Sequence, residues 1–162
     1  TLSAVHCDMV TAFGATAATV AAAWVTVALE RKIVDGAITA AIPAYDWKFY
    51  EVAKYGYMLD FQMSHQIVGV NLSELNKLPA DLQKIVRDKS KEWAPKYRKT
   101  IEDGEIAARK RLAEKGEQLI TPTAADVERA RTLTKPLWEA WAKQGGTVSQ
   151  GLLASATAAC VK

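Results

Sequence analysis

The chain of 162 residues is short of the residues that most catalytic and metal sites need. It has two histidines, His6 and His65, far apart and without a C-x-x-C or H-x-x-x-H spacing, so no zinc-like ligand cluster can be read from it. Its nine glycines are scattered, which leaves neither a Gly-rich phosphate loop nor a G-x-S-x-G nucleophile elbow. Two cysteines, Cys7 and Cys160, permit one intramolecular bridge or two thiols, and both readings stay open. His6 and Cys7 are adjacent, but neighbours on a helix point to different sides, so adjacency makes no thiolate pair. No apolar run reaches the ~18 residues needed to cross a bilayer; residues 13–29, the longest low-charge stretch, are rich in alanine and threonine. A net charge of +3, with basic residues interleaved among acidic ones, gives no electrostatic footprint for nucleic acid.

What is present is the composition of one globular domain, 49% hydrophobic and 24% charged. The pattern gives an α/β order. Residues 3–13 have helical spacing through Val5, Met9, Val10 and Phe13, with Gly14 as the stop. A strand is expected at residues 15–20, a helix at 21–31, a turn at Asp35-Gly36 and a short buried strand at 37–40. Residues 44–54 read as a helix entered through Pro43, and 57–63 and 66–71 as strands, the second apolar enough to be covered on both faces. Residues 80–115 are dense in helix formers. There Leu82, Ile85, Val86, Trp93, Tyr97 and Ile101 form one packing stripe, and the charges form a solvated face. Such a helix spans ~50 Å, with Pro95 expected to kink it and Gly104 to weaken it. A strand at 118–121, a helix at 124–144 and a last helix at 148–159 complete the reading.

Two ordered stretches carry a family resemblance. Ala28-Leu29, Val34-Asp35-Gly36, Lys48-Phe49-Tyr50-Glu51-Val52 and Lys54-Tyr55 stand in the order and spacing of one motif block, and Leu78-Pro79-Ala80-Asp81-Leu82-Gln83-Lys84 in that of another. In both, the chain resembles the DctP-like solute-binding proteins of tripartite ATP-independent periplasmic (TRAP) transporters, from about Val10 to about Trp141. The resemblance implies an α/β fold: the C-terminal lobe of a two-lobed, type II-like periplasmic binding protein, with a long kinked helix and C-terminal helices. It divides the chain into a substrate-binding lobe portion at 1–78, a lobe-spanning helix at 79–116, and a C-terminal strand and helices at 117–162. Residues 1–13 lack a basic start followed by an apolar run. Because the match begins in mid-family, the leader, the first lobe and its carboxylate-clamping arginine are expected upstream of Thr1.

The implied work is non-catalytic: periplasmic capture of a small organic acid and its delivery to the TRAP membrane permease subunits, with no cofactor. Thr39 stands where relatives often place a ligand-facing asparagine; it is either that contact or a strand residue with a satisfied hydroxyl. His65 stands where relatives place a polar side chain at the ligand, and is either a donor to a carboxylate or structural. Ala22 and Trp24 replace a family aromatic and glutamate, so Ala22 reshapes the pocket while Trp24 lines it or belongs to the core. Tyr45 and Trp47 either pack or line the cleft. Ile38-Thr39 stands where the metal-using branch has Glu-Trp, which disfavours a metal. Two other classes remain: a helical interaction or oligomerisation protein built on residues 80–115, with no small-molecule ligand, and a small hydrolase or lyase using His65.

Overall fold

In the computed structural model, residues 4–62 and 67–160 are described. They divide into two compact units, one of Thr1–Ile38, Tyr57–Leu59 and Ile120–Lys162, the other of Thr39–Gly56 and Asp60–Leu119. The first unit holds α1 (Ala4–Ala12), a 3-10 turn at Ala22–Trp24, α2 (Val25–Glu30), α6 (Ala124–Gln144) and α7 (Gly146–Cys160). The second holds α3 (Ala41–Asp46), a 3-10 turn at Phe49–Glu51, α4 (Leu72–Asn76) and α5 (Ala80–Glu114). Strands β1 (Tyr55–Tyr57) and β2 (Gln118–Ile120) make a two-stranded sheet. The Gln118 amide donates to the Lys54 carbonyl and the Met58 amide to that of Ile120, each at 2.9 Å. Residue numbers rise together along the two strands, so the pairing is parallel, and the long excursion between them is the crossover a parallel pair requires.

In the first unit α6 packs against both α1 and α7. Its start is fixed by a capping box: the Asp126 amide donates to the Thr123 hydroxyl at 3.2 Å, and the Thr123 amide donates to the Asp126 carboxylate at 2.9 Å. Those Thr123 hydrogen bonds, with smaller help from Tyr57 and Arg129, hold the Asp126 carboxyl below its ordinary range. Met9, Ala28, Leu29 and Ala142 are buried. Thr134 is buried too, its hydroxyl donating to the Ala130 carbonyl at 2.9 Å, which satisfies a polar group the helix would otherwise strand. Cys7 Sγ lies 4.0 Å from Thr19 Oγ1.

In the second unit α5 is one element through Pro95 and Gly104. Pairs four residues apart, Lys84 with Asp88, Lys96 with Glu92, Arg98 with Glu102 and Lys99 with Asp103, line its exposed side. Each adds only a few tenths of a kcal/mol to a helix, ~0.3–0.5. Burial is deepest in its C-terminal half, where Ala108 and Leu112 are buried, Leu112 to 1% exposure, while Gln83 and Val86 near its start are half-buried. Ala41, Ala44, Phe49 and Leu75 complete this small core.

Several expected elements are absent among the described residues. Residues 15–20 and 37–40 are irregular, and 58–62 and 67–70 form no strand. Strand propensity is weak where no neighbouring strand supplies ladder partners, and Ile67 and Val68 are 88% and 92% exposed instead of covered. The helix expected at 44–54 starts at Ala41 and breaks after Asp46, because Lys48 adopts a left-handed conformation at φ 57°. Residues 33–35 bend, and Gly36 lies beyond the bend. On α6, Thr134 and Ala142 are buried, Val127, Ala130, Leu137 and Trp138 are half-buried, and Leu133 and Trp141 are exposed. Asn71 caps α4, which the sequence reading did not anticipate. No described helix is long and apolar enough to cross a membrane.

Glu117, after the left-handed Gly116 that ends α5, is buried with its Oε2 unpartnered among the described residues. Burial raises its carboxyl above the ordinary range. A folded-state pKa above the unfolded value makes this group favour the native state at low pH, and that advantage is lost as pH rises through the folded value. Glu117→Gln is therefore expected to raise the melting temperature at pH 7 and to flatten its decline as pH rises above the ordinary carboxylate range, as read by thermal melts from acid to neutral pH.

Candidate functional site

The second unit gathers the clearest constellation of polar and aromatic groups, and it is built by the docking of α3 on α5. Ala40 at the N-cap of α3 offers no side-chain acceptor. The carboxylate of Glu105, on α5, takes that place: the Ala41 amide donates to Oε2 at 2.9 Å and the Ile42 amide to Oε1 at 3.2 Å. Orphan amides at a helix start need such a partner, and a negative charge there is favoured by the aligned peptide dipoles. Gly104 beside it allows close approach, since a Cβ at that position would lie 3.0 Å from Ile42 Cδ1.

The docking leaves a groove of about 250 Å³ lined by Ile42, Tyr45, Asp46, Ile101, Gly104, Arg111 and their neighbours. Arg111 places its guanidinium 5.5 Å from the centre of the Tyr45 ring, and one turn later Lys115 places its ammonium 5.7 Å from that of Tyr50. The two tyrosine rings lie 5.7 Å apart. Cations over aromatic faces are attracted by the ring quadrupole, so the arrangement holds two positive charges beside an apolar groove. Asp46 adds an acidic group to the lining. In chemical terms the groove offers hydrogen bonding and charge around an apolar floor, with no nucleophile and base in hydrogen-bonded contact. Among the described residues no group of three or more His, Cys, Asp or Glu is placed to hold a metal ion.

Of the residues singled out from sequence, Tyr45 lines this groove, while Trp47 packs on Phe49 with ring centres 6.0 Å apart. Thr39 is half-buried in the irregular run before α3. Ala22 and Trp24 belong to the other unit, in an exposed 3-10 turn, with Trp24 65% exposed; Trp24 is therefore not a core residue. His65 lies outside the described residues. Glu105 and Arg111 went unnoticed because both sit in the charge run of residues 80–115. The available signal was a basic pair four apart, Arg111 and Lys115, facing a tyrosine pair five apart, Tyr45 and Tyr50.

A second tertiary tie lies in the same unit. Arg109 grips Asp60 with both guanidinium nitrogens, Nη1 at 3.2 Å and Nη2 at 2.5 Å, across 49 residues of sequence. Asp60, at φ 49°, sits in the left-handed region that aspartate tolerates better than most residues. The hydrogen bond to Asp60 holds the Arg109 pKa further above its ordinary value. Bidentate geometry favours the pair, but both side chains are exposed. Asp60→Asn is expected to cost at most ~1 kcal/mol at low salt, with the difference shrinking toward 1 M salt; urea titrations at the two ionic strengths read it.

The fold is that of TRAP periplasmic solute binding proteins. One from Ochrobactrum anthropi, whose C-terminus is bound in the ligand-binding pocket, is 24% identical with a TM-score of 0.83, over 96% of this chain and 48% of that one. One from Desulfovibrio salexigens, with bound orotic acid, is 26% identical at a TM-score of 0.76, over 93% and 49%. One from Bradyrhizobium sp., in complex with α/β-D-galacturonate, is 22% identical at 0.81, over 95% and 50%. The chain thus spans about half the length of the solved structures it matches. The sequence model of the bacterial extracellular solute-binding protein family 7, DctP, matches residues 1–144, and the chain belongs to that family.

Proposed function

We propose that the chain is the C-terminal portion of a periplasmic solute-binding subunit of a TRAP transporter, which captures a small organic acid and hands it to the membrane permease without chemical change. The observation that carries this reading is family membership together with the ligand of a relative at 26% identity, orotic acid. Orotic acid and galacturonate share a carboxylate on a polar ring. In this reading residues 1–78 supply the substrate-binding part of the lobe, 79–116 the helix shared with a first lobe, and 117–162 the elements that pack on both. A ligand touching both lobes only in the closed state would drive closure by its differential affinity.

Thr39 and His65 are proposed as donors to the acid, with Ala22, Trp24, Tyr45 and Trp47 shaping the cleft. The test is a thermal-shift screen of mono-, di-, aromatic and sugar acids, on this chain and on one extended upstream to the length of its solved relatives. A ligand at ~100 times its Kd adds ~2.7 kcal/mol of stability. The expected outcome is a shift with one acid class in the extended chain, weakened about two- to tenfold in affinity by Thr39→Ala, the loss of one hydrogen bond. Silence with every acid would count against the proposal.

A further inference from the structure

Most of the basic residues of α5 are answered by a carboxylate about one turn away, from Lys84 with Asp88 to Lys110 with Glu114, and Arg109 is answered by Asp60. The end of the helix differs. Arg111, Lys115 and, beyond the second 3-10 turn, Lys54 have no carboxylate within ion-pair distance among the described residues. Each stands instead over a tyrosine ring: Arg111 over Tyr45 at 5.5 Å from its centre, Lys115 over Tyr50 at 5.7 Å and Lys54 over Tyr55 at 5.4 Å. Arg87 and Lys91 also lack a carboxylate, with no ring beneath either among the described residues. A ring face attracts a cation through its quadrupole but has no charge with which to cancel it. The tyrosines therefore orient three positive charges and leave them uncompensated. The Gln118 amide, bonded to the Lys54 carbonyl, ties Lys54 to the strand that follows α5.

Arg111 lines the groove between α3 and α5, about 250 Å³ in volume and walled by Ile42, Ile101 and Ala108. Lys115 follows one turn later, ~6 Å along the axis. Among the described lining residues Asp46 is the one acid. We propose that this groove and its three cations form a docking surface for an acidic segment of a partner polypeptide, which seats an apolar side chain in the groove and its carboxylates on Arg111, Lys115 and Lys54. The occupant is argued from charge and size. Three uncompensated cations against one carboxylate select an anion. A small acid would be poorly covered, since pockets that enclose such ligands measure ~300–1,000 Å³, and a single carboxylate does not span cations a helical turn apart. A membrane surface calls for clusters of ~4–8 basic residues. Arginine and tyrosine are the usual anchors of protein interfaces, and basic clusters read acidic motifs in polypeptides. The inference does not depend on the functional reading given above.

The test titrates the extended chain with a synthetic peptide of one leucine flanked by glutamates, followed by amide NMR. Shifts are expected at Ile42, Tyr45, Arg111 and Lys115, with an affinity that falls as salt rises toward about 1 M. Arg111→Gln/Lys115→Gln should weaken binding about tenfold, while the charge-keeping Arg111→Lys/Lys115→Arg stays closer to wild type. Lys54→Gln, at an exposed side chain, should give a smaller loss of the same sign and keeps the test open if the glutamine double variant fails to fold. Absence of shifts at these residues, equal binding of the peptide with lysines in place of glutamates, or an affinity indifferent to the substitutions would overturn the proposal. Shifts of the same residues by orotate or galacturonate would overturn it and give the groove to small acids. Binding to phosphatidylglycerol vesicles without binding to the peptide would overturn it in favour of a membrane surface. The thermal-shift screen reads the functional proposal separately, so either can fail while the other stands.

Discussion

The carboxylate of Glu105 bonded to the first amides of α3 is the constraint on which the second unit depends. A six-residue helix has no stability of its own in water, because nucleation fixes several residues for one hydrogen bond. Its own N-cap, Ala40, supplies nothing, so the anchor must come from elsewhere in the chain. Once Glu105 holds the start of α3, the rest of the contact follows from the turn of α5. Gly104 lets Ile42 in, Ala108 and Leu112 form the buried floor, and Arg111 falls over the Tyr45 ring.

That anchor also bears on function. Thr39 stands two residues ahead of the capped turn, so the path of the chain past it is set where Glu105 grips Ala41. In the proposed function, where Thr39 is offered as a donor to the acid, such a contact in an irregular run needs a rigid neighbour to position it. The cluster of Tyr45, Tyr50, Arg111 and Lys115 follows from the same docking.

Much of the helical framework was legible in the sequence, and for a physical reason. Residues 80–115 combine helix formers with charges at four-residue spacing, so local preference and tertiary role agree, and the helix observed is Ala80–Glu114. Likewise the helix read at residues 124–144 is α6, Ala124–Gln144, although the Thr123–Asp126 capping box that starts it was not read from the sequence. The strands were poorly legible. Residues 15–20 and 66–71 carry β-branched and apolar residues, but a strand exists only if another backbone pairs with it, which no local pattern records. The site divides in the same way. Tyr45 and Thr39 could be singled out through family spacing, whereas Glu105 and Arg111 act on residues more than 60 positions away and looked like ordinary surface charge.

The most direct measurement is residue-resolved amide hydrogen exchange of the wild type and of Glu105→Ala. If Glu105 anchors α3, the amides of Ala41 and Ile42 lose their protection in the variant, the remainder of α3 follows because so short a helix opens as a unit, and α6 is unchanged. Equal protection of α3 in both proteins would contradict the account, and would mean that apolar packing alone seats the helix.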